Sequence, residues 1–166
     1  MASIEFEGID EYAKRLSILW KDSEEICKRA VYEGANVVAN AIRANLDSIP
    51  VQEGENGLPP YANEGEMLYG VSRRQKADLI DAFGLAPIKN EQDYINTKAG
   101  FDGYGSVKTK KYPKGTPNAM LMRSVESGTY FRKKHPVVRP AVNRSRKPAQ
   151  AKMDETINQE IEKRME

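Results

Sequence analysis

The feature that most constrains this fold is a helical apolar pattern that begins near Ile9 and stops before Pro50. The stretch 22–25 combines a capping serine with acidic residues, which predicts that a second, longer helix starts there. That helix runs to Leu46, and Pro50 ends it. Small residues around Gly34 predict that it packs closely against a sheet. In the first part of the pattern, apolar residues recur at spacings of three and four, at Ile9, Tyr12, Leu16, Leu19 and Trp20.

Shorter elements are predicted along the rest of the chain. They are an edge strand at residues 4–6, a helix at 75–84 ended by Gly84, a strand at 94–101 followed by a turn at 102–103, and a helix or strand at 119–125 that leads into a turn at Gly128. A C-terminal helix is predicted from about Pro140 to Arg164, with an apolar face formed by Ala141, Ala149, Met153, Ile157 and Ile161. Two segments rich in proline and glycine, about 50–70 and 104–118, are predicted to be long, mobile loops.

The size of the chain suits a single domain, 1–166. It contains no run of 18 apolar residues, which argues against a membrane-spanning helix. The acidic start of the chain lacks a hydrophobic signal core, so we expect folding in a reducing cytoplasm. Cys27, the single cysteine, lies within the helical apolar pattern and is expected to be buried by packing.

Charge is divided unevenly along the chain. Residues 1–103 carry 11 Lys/Arg against 18 Asp/Glu, a net charge of −7, and residues 104–152 carry 13 Lys/Arg against Glu126 alone, a net charge of +12. Residues 153–166 contribute −3, which gives +2 for the whole chain. Such a division steers a protein toward nucleic acid or toward the acidic face of another subunit.

The residues that carry most enzyme chemistry are sparse or badly placed here. His135 is the only histidine, and its position beside Pro136 and two lysines is typical of a loop. The acidic residues of the first loop are typical of a solvated surface, and the glycines at 100–105 lack the lysine and hydroxyl of a phosphate-binding loop. We therefore predict no catalytic residues, no cofactor and no metal.

The basic segment 104–147 leaves an alternative open. Tyrosines and lysines are mixed in its first part, as in proteins that bind single strands, and further arginines and lysines could contact phosphates. No recognised nucleic-acid motif contains them, so contact with an acidic protein neighbour is the preferred interpretation. The candidate interface residues are Arg132, Lys133, Lys134, Arg144, Arg146 and Lys147.

Four short motifs stand out in the second half of the chain. They are residues 98–104, 112–118, 124–129 and 135–141, with a turn and assembly motif at Glu126, Gly128, Thr129, Pro136, Arg139 and Pro140. Together they resemble the phage tail-completion (head–tail joining) family of long-tailed phages and prophages. The similarity is sharpest between Tyr94 and about Met153, and it is weaker in the N-terminal half, at residues 8–11 and around Gly34. Val137 departs from the family, in which many members carry phenylalanine, and the middle rich in glycine and proline replaces a short threonine-glycine turn.

The resemblance implies an α+β subunit in which a small antiparallel sheet is covered by a long N-terminal helix and a C-terminal helix, with long exposed loops. It also implies a structural virion protein, assembled in the bacterial host cytoplasm, that forms a hexameric ring in the neck and joins the tail to the DNA-filled head. The partners would be other copies of the chain, head connector or stopper proteins, and tail terminator or tube proteins, with only non-specific contact to DNA. The alternatives are a tail-terminator protein and a small nucleic-acid-binding protein.

Overall fold

The computed structural model describes residues 9–92 and 94–165, and it has the α+β architecture expected from the sequence. Four helices accompany four short strands in these residues. The helices are α1 (Ile9–Leu46), α2 (Arg73–Ala82), α3 (Asn118–Ser127) and α4 (Val138–Met165), with a single 3-10 turn at Glu55–Gly57. The strands are β1 (Phe83–Leu85), β2 (Lys89–Glu91), β3 (Tyr94–Asn96) and β4 (Ala99–Phe101). The predicted strand at residues 4–6 lies outside the described residues.

Helix α1 is one continuous helix, so the predicted second start at residues 22–25 is wrong. Ser23 does not cap a new helix: its hydroxyl donates to the Trp20 carbonyl at 2.8 Å, one turn back. One turn further on, Glu24 and Lys28 form an ion pair at 2.6 Å on the helix surface. A serine that satisfies its hydroxyl within the preceding turn does not interrupt a helix.

The main partner of α1 is α4, which runs antiparallel to it. At one end the Asn45 amide donates to the Val137 carbonyl at 2.9 Å, and at the other Arg164 contacts Asp22 at 3.0 Å. Between them, a Cβ added at Gly34 would lie 2.5 Å from Met153 Cγ and 3.3 Å from the Ala149 carbonyl oxygen. The predicted close approach at Gly34 is therefore confirmed, but the element that approaches is a helix rather than a sheet.

The buried face of α4 changes character along its length. Ala141 and Ala149 are buried as predicted, whereas Ile161 is exposed. In the C-terminal half the buried positions are Thr156 and Glu160 instead, and Glu160 pairs with Arg29 at 2.7 Å and with Arg164. The predicted residues Met153 and Ile157 are half-buried, so the apolar-face prediction fails only at Ile161, where α4 meets the first half of α1 through ion pairs.

The strands form one interrupted hairpin rather than a broad sheet. β1 pairs antiparallel with β4 in the register Phe83–Phe101, and β2 pairs antiparallel with β3. The Ala86 amide continues the ladder between the two pairs by donating to the Lys98 carbonyl at 2.7 Å. The predicted strand at 94–101 is thus divided between β3 and β4, and Gly84 lies within β1 instead of ending α2.

The core lies where the C-terminal half of α1 meets α2, α3 and the start of α4. Its buried apolar residues include Ile42, Leu46, Ile49, Val71, Leu79, Leu121, Val125 and Val137. A capping box begins α2: the Gln75 amide donates to the Ser72 hydroxyl at 3.2 Å, and the Ser72 amide donates to Gln75 Oε1 at 3.1 Å. This core fixes the end of the molecule that carries the α3–α4 connection.

The first long loop is anchored at both ends. The Val71 amide donates to the Pro50 carbonyl at 3.0 Å, and Gln52 Oε1 accepts a hydrogen bond from the Tyr69 amide at 2.9 Å. Near its end the Leu68 amide donates to the Phe131 carbonyl at 2.8 Å, which ties the loop to the α3–α4 connection. Mobility of the middle of this loop, and of 104–118, stays a prediction.

Cys27 is exposed, so its predicted burial is wrong. Apolar periodicity failed here because the first half of α1 carries more apolar positions than α4 covers.

We expect the Cys27 thiol of the dilute native protein to react with a maleimide at a rate close to that of the unfolded chain. A labelling rate slower by about a hundredfold or more, with full reaction in denaturant, would contradict the exposed position.

Candidate assembly surface

Glu126 joins the end of α3 to the start of α4. One of its carboxylate oxygens accepts hydrogen bonds from the amides of Val137 and Val138, at 2.7 and 2.9 Å. The other accepts from the amide of Arg139 at 2.8 Å. These donors lie at the N-terminus of α4, where helix amides lack partners within the helix. Glu126 thus caps α4 from a distance of 11 to 13 residues in sequence.

The surroundings of Glu126 act on its pKa in opposite directions. Partial burial by itself raises the pKa, since it penalises the charged form. The three backbone donors and the charge of Arg139 outweigh that effect, and the pKa of Glu126 lies below its ordinary value. The carboxylate is therefore ionised wherever the protein is folded near neutral pH.

Gly128 ends α3 in the turn predicted from the sequence, and its φ is positive. Its backbone has φ 74° and ψ 170°, and its amide donates to the Ser124 carbonyl at 3.0 Å. A Cβ at this position would lie 3.0 Å from the Lys134 amide nitrogen and 3.1 Å from the Arg132 carbonyl oxygen. A turn closed by Thr129 and Arg132 follows, in which the Thr129 amide donates to the Arg132 carbonyl at 2.9 Å.

Replacing Gly128 with alanine should destabilise the protein by about 1–3 kcal/mol, because only glycine readily adopts this backbone region. Thermal and chemical unfolding would measure the loss. The matched control is Ser127→Ala at the exposed end of α3, which should cost less than about 0.5 kcal/mol. Equal, negligible effects of the two substitutions would refute the turn geometry.

Arg132 belongs to the interior, unlike the other predicted basic interface residues. Its side chain is 6% exposed, and one of its guanidinium nitrogens donates to the Gly70 carbonyl. Burial lowers the pKa of this guanidinium. Because the side chain is buried, Arg132 is corrected from an exposed interface residue to one that holds the first loop against the α3–α4 connection.

The remaining predicted basic residues are exposed around the first half of α4. Arg144 donates to Asn45 Oδ1 at 3.1 Å, and none of the set forms an ion pair within residues 9–92 and 94–165. Glu126, the only acidic residue of segment 104–152, is already engaged by backbone amides. This basic surface comprises Lys133, Lys134, Arg139, Arg144, Arg146 and Lys147. Pro136 and Pro140, exposed between and beside these residues, complete the predicted motif.

The lysine-rich loop 104–118 approaches the same end of the molecule. Val107 is buried, and Asp78 of α2 accepts hydrogen bonds from the amide and the hydroxyl of Ser106, at 2.8 and 3.0 Å. Lys111 lies 5.6 Å from the centre of the Tyr112 ring, and it also lines a cleft together with Tyr61 and Tyr130. The loop therefore extends the positive charge beyond α4.

Side chains that could ligate a metal are dispersed over the described residues, 9–92 and 94–165. No cluster of three or more histidine, cysteine, aspartate or glutamate side chains in this part of the chain is arranged to hold a metal ion. His135 places Nε2 3.3 Å from the Ser48 hydroxyl. In the same residues, the helices lack an apolar stretch of the length that a bilayer requires.

Sequence reasoning identified Glu126 as part of a motif but missed what it does. Its capping role joins residues more than ten positions apart, whereas the usual capping patterns span three. The sequence signal that could have found this role is the isolation of Glu126 as the single acid in a basic segment, because a lone carboxylate in such a segment suggests a specific contact. No family model, no curated protein and no solved structure matches the chain.

Proposed function

We propose that this protein is a structural subunit of the phage neck, where it forms a ring that joins the tail to the DNA-filled head. The observation that carries the proposal is the three-amide contact of Glu126. This contact explains why the turn and assembly motif that resembles the phage family forms one unit. Glu126 caps α4, Gly128 allows the chain to turn, and the following residues begin the last helix. A motif of this kind builds a rigid surface.

The surface that this unit presents suits assembly with an acidic partner. Its exposed cations form no ion pair within residues 9–92 and 94–165, and apart from Arg139, whose charge acts on Glu126, their charge is available to another molecule. Complementary charge speeds association and selects partners more than it adds affinity. Residues 1–103 carry a net charge of −7 and residues 104–152 a net charge of +12, so the acidic part of one copy can contact the basic part of another.

In the proposed role the protein performs no catalysis and uses no cofactor. It acts in the virion as a ring of six, after assembly in the host cytoplasm, between a head connector or stopper protein and a tail terminator or tube protein. A tail terminator is the closest alternative, since it occupies the same neck. Single-strand binding is the second candidate, because Tyr104 and Tyr130 are exposed and Lys111 lines the same cleft as Tyr130.

The proposal is tested by removing the gene from a phage or prophage that carries it. We expect filled heads and finished tails that remain separate in electron micrographs, and joining should be restored when purified protein is added to the lysate. Tails of irregular length would instead indicate a terminator. Normal joined particles without the protein would refute the neck role.

A further inference from the structure

The two halves of the α1–α4 pair are held together by different contacts. Near the start of α4, both helices contribute side chains to the apolar core. The other half consists of residues 13–33 of α1 and 150–165 of α4, and we name it the outer pair. Its buried apolar side chains are Ile26 and Ala30, and neither belongs to the core cluster. The outer pair therefore has little apolar burial to hold it closed.

Ion pairs supply the other contacts between the two helices of the outer pair. Glu160 of α4 is 8% exposed, and it pairs with Arg29 of α1 at 2.7 Å and with Arg164 one turn later. Arg164 also contacts Asp22 of α1 at 3.0 Å. The hydrogen bond from Arg164 is the main influence that holds the pKa of Glu160 below its ordinary value, and the charges of Arg29 and Lys163 act in the same direction. Removing charges from water cancels much of what their pairing gains, so this network adds little net stability.

Both helices are weakened at the level where the outer pair begins. In α1 the weak point is Gly34, because glycine is less favourable in a helix interior than any residue except proline. In α4 it is Pro148, which has no amide hydrogen to donate to the Arg144 carbonyl. Ala149 follows Pro148 directly, and a Cβ added at Gly34 would lie 3.3 Å from the Ala149 carbonyl oxygen. The two weak points thus lie opposite each other.

Much of the apolar surface of the outer pair is in contact with water in the closed state. Trp20 is 83% exposed, and Leu16 and Ile161 are exposed as well. These side chains gain little from the closed arrangement, because burial is what makes an apolar side chain stabilising. Opening of the outer pair therefore breaks few favourable apolar contacts.

We infer that the outer pair opens as a unit while the core stays folded, with Gly34 and Pro148 at the boundary between the two regions. Opening breaks the ion pairs between the two helices and exposes Ile26 and Ala30. A region with few buried apolar contacts opens at a lower free energy than a packed core, and contiguous elements open together. The inference concerns the isolated protein and does not depend on the neck role.

Amide hydrogen exchange of the full chain, followed by mass spectrometry, tests this inference. At neutral pH, the protection factors of the outer pair should be at least about a hundredfold lower than those of core residues 39–46 and 121–125. They should be similar in the two helices, because the helices open together. Protection factors equal to those of the core would overturn the inference. Values that fall steadily toward residues 9 and 165 would also overturn it, since they indicate fraying of the helix ends.

Glu160→Gln should weaken the outer pair selectively. The substitution removes the carboxylate that links Arg29 of one helix to Arg164 of the other, and a partly buried guanidinium that loses a partner favours the open state. Protection should fall at least about fivefold in both helices of the outer pair and less than about twofold in the core. A fall confined to α4, or an equal fall in the core, would overturn the inference.

Glu155→Gln is the matched control. Glu155 also lies in the outer pair, but its partner Lys152 is on the same helix, so the pair does not join α4 to α1. The protection factors of this variant should stay within about twofold of the wild type. A fall as large as that of Glu160→Gln would show that any loss of negative charge from α4 opens the outer pair, and it would overturn the role of the ion pairs between the helices.

Discussion

Replacing Glu126 with alanine is expected to lower the free energy of unfolding by about 2–3 kcal/mol. Loss of an ordinary helix cap costs about 0.5–2 kcal/mol, and a hydrogen bond to a charged group contributes about 1.5–3 kcal/mol. Alanine would leave the amides of Val137, Val138 and Arg139 without their acceptor. Partial exposure of the site lets water replace part of the loss, so the contributions do not add fully. Chemical denaturation measures the effect.

Two further variants show which property of Glu126 matters. Glu126→Gln keeps one acceptor oxygen but removes the charge, so we expect about half the loss of the alanine variant. Glu155→Ala removes an exposed glutamate that pairs with Lys152 on α4, and the denaturation midpoint of this variant should stay close to that of the wild type, because exposed ion pairs stabilise little. If Glu126→Ala and Glu155→Ala unfold at the same denaturant concentration, the cap does not hold α4.

The lowered pKa of Glu126 also predicts a dependence of stability on pH. The pKa in the folded state lies below that of the unfolded chain, so the unfolded state binds the proton first as pH falls. The stabilisation is fully present above the ordinary glutamate pKa and is lost as pH drops through the lower folded-state value. Unfolding curves of Glu126→Gln should therefore depend less on acid pH than those of the wild type. Parallel pH profiles of the two proteins would contradict this.

Local patterns predicted the elements of the fold better than their contacts. The helical pattern from Ile9 to Leu46 is a real helix, because periodicity every three or four residues reflects the geometry of a single element. The break at residue 22 was wrong because Ser23 bonds back to Trp20, and sequence does not distinguish this from a cap. Burial of Cys27 was wrong because burial depends on which side another element covers.

The candidate surface was predictable in charge but not in geometry. A net charge of +12 in 104–152 follows from the residue types alone. Which of those cations faces solvent depends on long-range packing, and Arg132 is buried because it bonds to Gly70, 62 positions away. The exposure of Trp20 could not be predicted for the same reason: Trp20 fits the apolar pattern of α1, and only the position of α4 shows that its side chain is uncovered.

Reversing the charge of Lys134, Arg146 and Lys147 to glutamate is expected to abolish joining of heads to tails while the protein still folds. These side chains are exposed and make no ion pair within residues 9–92 and 94–165. Arg139 and Arg144 are left unchanged, because the charge of Arg139 helps to keep Glu126 ionised and Arg144 bonds to Asn45. Like charges brought together across an interface cost several kcal/mol, enough to prevent docking.

The control changes net charge by the same amount elsewhere. Arg74, Lys89 and Lys98 are exposed on α2 and the hairpin, and their reversal to glutamate should leave joining intact. Both triple variants should melt close to the wild-type temperature, which separates lost docking from lost folding. If the Lys134, Arg146 and Lys147 variant still yields joined, infectious particles, the basic surface is not used in assembly. Release of counterions from phosphates makes nucleic-acid binding fall steeply with salt. If the wild type binds a single-stranded oligonucleotide tightly at physiological salt with such a steep dependence, and the Lys134, Arg146 and Lys147 variant loses it, the basic surface binds nucleic acid.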